Sequence, residues 1–151
     1  MKRTIIWIVV GLIALLVLIQ FVPYGKNHTN PAVGQEPTWD NPQTRELAKR
    51  ACFDCHSNET VWPWYSNIAP VSWLVYRDAM EGRSRVNFSE WNRGEQEVED
   101  AAELVQNGEM PLPTYLLMHP GARLSAAEKQ TLIQGLIATF GGSSGESGGD
   151  D

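Results

Sequence analysis

Residues 50–60 read Arg-Ala-Cys-Phe-Asp-Cys-His-Ser-Asn-Glu-Thr, and the five in the middle, Cys52-Phe53-Asp54-Cys55-His56, decide how the rest is read. They hold the only two cysteines of the 151-residue chain. Two thiols three positions apart, with an imidazole directly after them, form the attachment pattern of a c-type haem. At a helix end each thiol can add to one vinyl group of the same porphyrin. The adjacent imidazole is then carried beneath the ring as proximal iron ligand. Three plainer readings compete. A Cys52–Cys55 disulfide leaves His56 without a reason. A thioredoxin-like dithiol wants a strand–helix setting, and no segment alternates as a strand does. Zinc needs four ligands, and only distant His28 or His119 would complete the set. The pattern predicts one covalently attached haem c on Cys52 and Cys55, with His56 on the iron.

The surroundings predict helices. Asn41-Pro42 supplies an N-cap and a first-turn proline for a helix from 42 to about 52, which delivers the cysteines at its end. Pro70 opens a second helix, VSWLVYRDAMEG, that stops at Gly82. A third spans about 94 to 107, with Val98, Ala101, Ala102 and Val105 on one face and Gly108 ending it. The last starts at Ser125, with Glu128 three residues on as a capping box, and carries the stripe Leu132, Ile133, Leu136, Ile137 and Phe140. The fold class is all-α: an N-terminal transmembrane helix plus a small helical haem domain.

Thr4 to Val22 runs nineteen residues without a charge, about 28 Å as a helix and close to the thickness of a bilayer core. Trp7 lies near one end and Phe21 and Tyr24 near the other, and Lys2 and Arg3 keep Met1 in the cytoplasm. The sequence after the run lacks the small residues of a signal-peptide cleavage site, so an uncleaved anchor is expected. The reading is an inner (cytoplasmic) membrane protein, single-pass, with its C-terminal domain in the periplasm or otherwise outside the cytoplasm. The chain then divides into an anchor (1–22), a Pro/Gly-rich tether (23–38) that holds the domain tens of Å off the bilayer with His28 solvated in it, a haem-binding domain (39–140) and a disordered tail (141–151). The net charge is −6, or −8 beyond Lys2 and Arg3. That balance excludes nucleic acid as a partner and suits a basic docking protein.

For the sixth iron ligand, Met110 stands first. It lies on a loop stiffened by Gly108, Pro111 and Pro113, the prolines forbidding helix beyond it. His119, extended before Pro120, is the alternative, and an open distal site is the third possibility. Met80 and Met118 are expected in the core. Trp62, Trp64, Tyr65 and Trp73 are expected as a haem wall. Arg77, Arg83 and Arg85 are candidates to pair with propionates, although scattered arginines are usually solvated.

The motifs CHSNET (55–60), WPWYSNIAPVSW (62–73) and GEMPLP (108–113) make residues 25 to 140 similar to the bacterial haem-binding domain family of membrane-anchored cytochromes. More loosely, the order CxxCH, Met-Pro and closing helix resembles the mono-haem cytochrome c fold. That resemblance implies packing of 42–52 against 126–140. The aromatic block after the CxxCH departs from ordinary small cytochromes c. The function expected is one-electron transfer with redox partner proteins, membrane-bound ones among them, and not catalysis. A haem-based sensor or accessory subunit, or a peroxidase-like enzyme with an open distal site, is the alternative.

Overall fold

The Asn41 carboxamide accepts the Thr44 N–H at 3.0 Å and Pro42 takes the first helical position, so α2 (Pro42–Ala51) begins where the sequence places it. Ser125 and Glu128 close a reciprocal capping box on α7 (Ala126–Phe140), with Gly141 at φ +68° as its left-handed C-cap. These helices belong to a computed structural model that describes residues 1–94 and 96–141. The remaining helices are α1 (Lys2–Ile19), α3 (Phe53–His56), α4 (Val71–Arg85), α5 (Ala101–Asn107) and α6 (Pro113–Met118). Short 3-10 turns lie at Trp64–Asn67, Trp91–Arg93 and Pro120–Ala122. The protein is all-helical among the described residues. α1 is apolar, with a mean hydropathy of 2.3, and is long enough to cross a membrane.

The cytochrome-like pairing is present: α2 packs on α7, and α7 also covers α5. Contact between α2 and α7 is close because Gly135 faces Thr44, which is fully buried; a Cβ on Gly135 would lie 2.8 Å from the Thr44 Cβ. Leu47, Ala48, Val105, Leu132 and Leu136 fill the space between these helices. Trp39 caps the core, its ring 5.2 Å from Phe88 and 5.8 Å from Phe140. At the other end of the pair, Arg50 meets Glu128 at 2.7 Å. The Ser125 backbone N–H, with Arg50 and the Ser125 hydroxyl, brings the Glu128 carboxyl down to about 2.

Six expectations are corrected. The helix expected to stop at Gly82 continues to Arg85, because Gly82 lies in the helix interior against α3. The helix expected from 94 begins only at Ala101. The segment before it is bonded elsewhere: the Gln96 side chain accepts the Asn87 N–H on Oε1 at 2.8 Å, and the Glu97 N–H donates to Arg85 O at 3.2 Å. Pro113 does not forbid helix; it starts α6 from its first position, where no N–H is needed. Segment 23–38 does not hold the domain off at a distance. It runs along the domain, with Asn30 Nδ2 donating to Thr60 O, Gly34 N–H to Ser89 O, and Glu36 bonded to Arg45. His28, expected in solvent, is stacked on Trp62 at 4.6 Å and bonded to Ser66 O. Met80 is half-buried, whereas Met118, expected in the core, is exposed. Of the tail expected to be disordered, residues 142–151 lie outside the described residues.

Candidate functional site

α2 ends at Ala51, and the chain turns through Cys52 directly into α3, a single turn that carries Cys55 and His56. Both cysteines are free thiols. Burial pushes each thiol up to about 12, so neither ionises at neutral pH. Phe53 between them is buried, 5.5 Å from Phe88, and anchors the turn in the core. The two cysteine positions are thereby fixed by the same packing that joins α2 to α7.

His56 is set by α4. Its Nδ1 lies 3.1 Å from Gly82 O and 3.3 Å from Val86 O. Both partners are carbonyls, so Nδ1 carries the proton and Nε2 keeps its lone pair. Burial lowers the imidazole pKa, against the opposing pull of the two carbonyls, and keeps the ring neutral. A neutral imidazole oriented through Nδ1–H to backbone oxygen is the arrangement used for metal-binding histidines. Gly82 makes it possible: a Cβ there would stand 2.5 Å from the Cys55 carbonyl oxygen, so only glycine lets α4 pass this close to α3.

The polar residues of CHSNET explain themselves in the loop that follows. Ser57, Asn58 and Thr60 are buried and bonded. The Ser57 hydroxyl donates to Phe53 O and the Thr60 hydroxyl to Asp54 O, each at 2.8 Å. Asn58 Nδ2 donates to Ala32 O and Glu90 Oε1, and its Oδ1 accepts from Asn87. Arg83 is buried too, donating to Ser57 O, Asn30 Oδ1 and Thr60 Oγ1, each at 2.7 Å. It is a structural latch and does not face the cavity described next.

Cys52, Cys55 and His56 line a cavity of about 600 Å³, and Met110 lines it as well. This volume falls within the roughly 300–1,000 Å³ of cofactor and ligand pockets. Val86, Phe88, Leu104 and Leu136 supply apolar wall; Arg77, Arg85, Asp78 and Glu97 stand among the charged residues around it. Met110 is held by the end of α5: Gly108 adopts φ +77°, and the N–H groups of Glu109 and Met110 both donate to Leu104 O.

His119 lies elsewhere. With Cys55, Tyr65 and Tyr115 it lines a second, smaller cavity of about 110 Å³. Its Nδ1–H donates to Tyr115 O at 2.9 Å, and its Nε2 accepts the Tyr65 hydroxyl at 3.2 Å. Both ring nitrogens are thus engaged. Of the aromatic block, Tyr65 lines this smaller cavity, and Trp62, Trp64 and Trp73 line neither of the two. Trp62 stacks on His28, Trp64 is exposed, and the indole N–H of Trp73 is buried without an acceptor among the described residues. Two residues that sequence reading passes over also belong here. Tyr115 lines both cavities and donates to Asp54 Oδ2 at 2.7 Å. Phe88 packs 6.3 Å from the His56 ring and donates its N–H to His56 O. Gly82 had a signal: a glycine inside a helix costs about 1 kcal/mol against alanine, so its retention points to a close approach. Phe88 and Tyr115 had none.

The residues present fit a haem: two free thiols three residues apart, an imidazole with its inward lone pair free, and a thioether border one apolar-walled cavity. Fold and site together define a helical haem-binding domain. The model of the haem-binding domain family matches residues 14–138, and the chain belongs to that family. No curated protein and no solved structure matches it.

Proposed function

We propose that the protein is a membrane-anchored, mono-haem c-type cytochrome that carries single electrons outside the cytoplasm. The observation that carries this reading is the convergence of Cys52, Cys55, His56 and Met110 on one cavity, with His56 already in the tautomer that frees Nε2. Cys52 and Cys55 would hold the porphyrin through thioether bonds, His56 Nε2 would take the proximal side of the iron and Met110 Sδ the distal side. Bound there, the haem supplies one-electron chemistry between its ferric and ferrous states. The chain's part is to fix, shield and tune. The carbonyls of Gly82 and Val86 orient the imidazole and raise its basicity. Val86, Phe88, Leu104 and Leu136 keep water from the ring, and Arg77 and Arg85 offer cations to its propionates. The apolar α1 supplies the anchor, and Lys2 and Arg3 ahead of it favour a cytoplasmic N-terminus, with the domain on the other side. Filled axial positions favour electron transfer over catalysis at the iron, with a membrane-associated redox protein as partner.

Met110 shares the large cavity with His56 while His119 lines the smaller one, so the sixth ligand is testable. In ferric protein, methionine ligation gives a weak near-red sulfur-to-iron band. Met110→Ala should abolish the band and admit carbon monoxide to the ferrous protein, whereas His119→Ala should keep the band and exclude the gas. Loss of the band in His119→Ala alone, or ready carbon monoxide binding by the unaltered protein, would remove Met110 from the iron.

A further inference from the structure

The anchor helix and the haem domain meet at a fixed joint. Gln20, just past α1, donates its Nε2–H to Ala69 O at 2.9 Å and accepts the Ala69 N–H on Oε1 at 3.0 Å. Gly25, at φ +75°, lies against the first turn of α4, so close that a Cβ would stand 2.7 Å from Ser72 O. The Tyr24 ring meets Tyr76 edge-on at 5.5 Å. The domain is therefore seated at the end of the apolar helix.

The surface around this joint is largely apolar. Val61 is 75 % exposed, Trp64 73 %, Leu117 72 % and Met118 57 %, and Ile68 and Val71 flank Ala69 and are exposed as well. Val61, Val71 and Met118 border the smaller cavity together, and Trp64, Ile68 and Leu117 are their near neighbours along the chain. No charged residue occurs from Val61 to Tyr76, nor from Met110 to Met118, in a chain with a balance of −8 beyond Arg3. Two carboxylates line the small cavity: Asp54 is tied to the Tyr115 hydroxyl and to the Val61 N–H, and Asp78, which lines the large cavity as well, pairs with Arg77 at 2.9 Å. Acid gathers instead around the large cavity, at Asp78, Glu81, Glu97, Glu99 and Asp100. A contiguous exposed apolar patch on a soluble domain marks a contact surface.

We propose that this patch rests on the membrane that α1 crosses, at the boundary between headgroups and acyl chains, so that the haem domain lies on the bilayer. The inference builds on the anchor reading above. Lipid is the occupant because the patch is continuous with the end of the span: Ile68 and Val71 flank the residue that Gln20 holds. An exposed tryptophan on a largely apolar surface suits the interface, where indole rings collect. Lys26, whose ammonium bonds Gln20 O, adds a cation at the same level, where anionic headgroups attract it. The smaller cavity, which shares Cys55 and Tyr115 with the larger one, then opens at the membrane face.

The test uses the full-length holoprotein in nanodiscs of phosphatidylethanolamine and phosphatidylglycerol, with an environment-sensitive fluorophore on Leu117→Cys or, as reference, on Gln134→Cys at the exposed face of α7. Alkaline carbonate extraction of the same variants from native membranes reports on the anchor. The Leu117 probe should emit to the blue of the reference and be quenched about threefold more by nitroxide placed at headgroup depth. Adding Trp64→Asp and Ile68→Glu should return it to the reference. A protein that resists extraction while its Leu117 probe behaves as the Gln134 probe does overturns the docking and leaves the anchor standing. Release by carbonate overturns both.

Discussion

Gly82→Ala is expected to strip the protein of most of its haem and to lower its stability by about 2–3 kcal/mol, the cost of overpacking a closed contact. The substitution looks mild by helix propensity, since alanine in a helix interior is about 1 kcal/mol better than glycine. The structure reverses that sign. The new methyl would stand 2.5 Å from the Cys55 carbonyl oxygen and 3.0 Å from the Cys55 Cβ, both parts of the turn that carries the site. α4 and α3 must separate by several tenths of an ångström, and the separation falls on the 3.1 Å bond from His56 Nδ1 to Gly82 O. With that bond weakened, the imidazole loses the orientation that keeps Nε2 toward the cavity. Haem-to-protein absorbance of purified protein and a thermal melt measure the two effects. Ser84→Ala, two residues further along the same helix and exposed, should change neither. A fully loaded Gly82→Ala of unchanged melting temperature would show that the α3–α4 contact does not hold the ligand.

The second large effect belongs to the α2–α7 crossing. Gly135→Ala should cost about 2–3 kcal/mol, again through overpacking. Its methyl would meet Thr44 Cγ2 at 2.5 Å and Cβ at 2.8 Å, and Thr44 is fully buried with no room to turn. Because α2 leads straight into Cys52, prising it from α7 displaces the thiols, so haem content should fall along with stability. Thr44→Ala offers the control. It deletes the hydroxyl and methyl that collide and leaves one tight Cβ contact, and it also removes a hydroxyl that has no partner. Denaturant unfolding of the four proteins of the cycle should give strong non-additivity, with the double variant recovering more than half of the loss. Additive losses would mean that the two residues do not meet.

How much of this was legible in the sequence follows from what each feature depends on. Local chemistry could be read directly. The Asn41-Pro42 start of α2, the Ser125–Glu128 box on α7, the left-handed Gly108 and the CxxCH itself each act within a few residues, and each is where the sequence puts it. Met110 could be placed on a loop for the same reason, and its approach to the haem cavity follows from the cap at the end of α5. Features that depend on distant partners were misread. Gly82 looked like a helix stop because its actual neighbour, the Cys55 carbonyl, is 27 positions away in the chain. Segment 23–38 looked like a free tether because its prolines and glycines hide the fact that Asn30, Gly34 and Glu36 have bonding partners waiting on the domain. The aromatic block looked like a haem wall because it adjoins the motif, yet about the 3-10 turn at Trp64–Asn67 its rings go to the His28 stack, the exterior and the smaller cavity.

That porphyrin is joined to both sulfurs is the claim on which the reading of the site rests, and acidified organic solvent tests it most directly. Full-length protein produced in a host that matures c-type haem should keep its colour in the precipitated polypeptide after extraction with acidified butanone, and mass spectrometry should show one haem added to the chain. With Cys52→Ala and Cys55→Ala together, the pigment should pass entirely into the solvent. Colour that leaves the unaltered protein under the same treatment, or a chain of apo mass, would contradict covalent attachment and leave only a domain that binds haem reversibly.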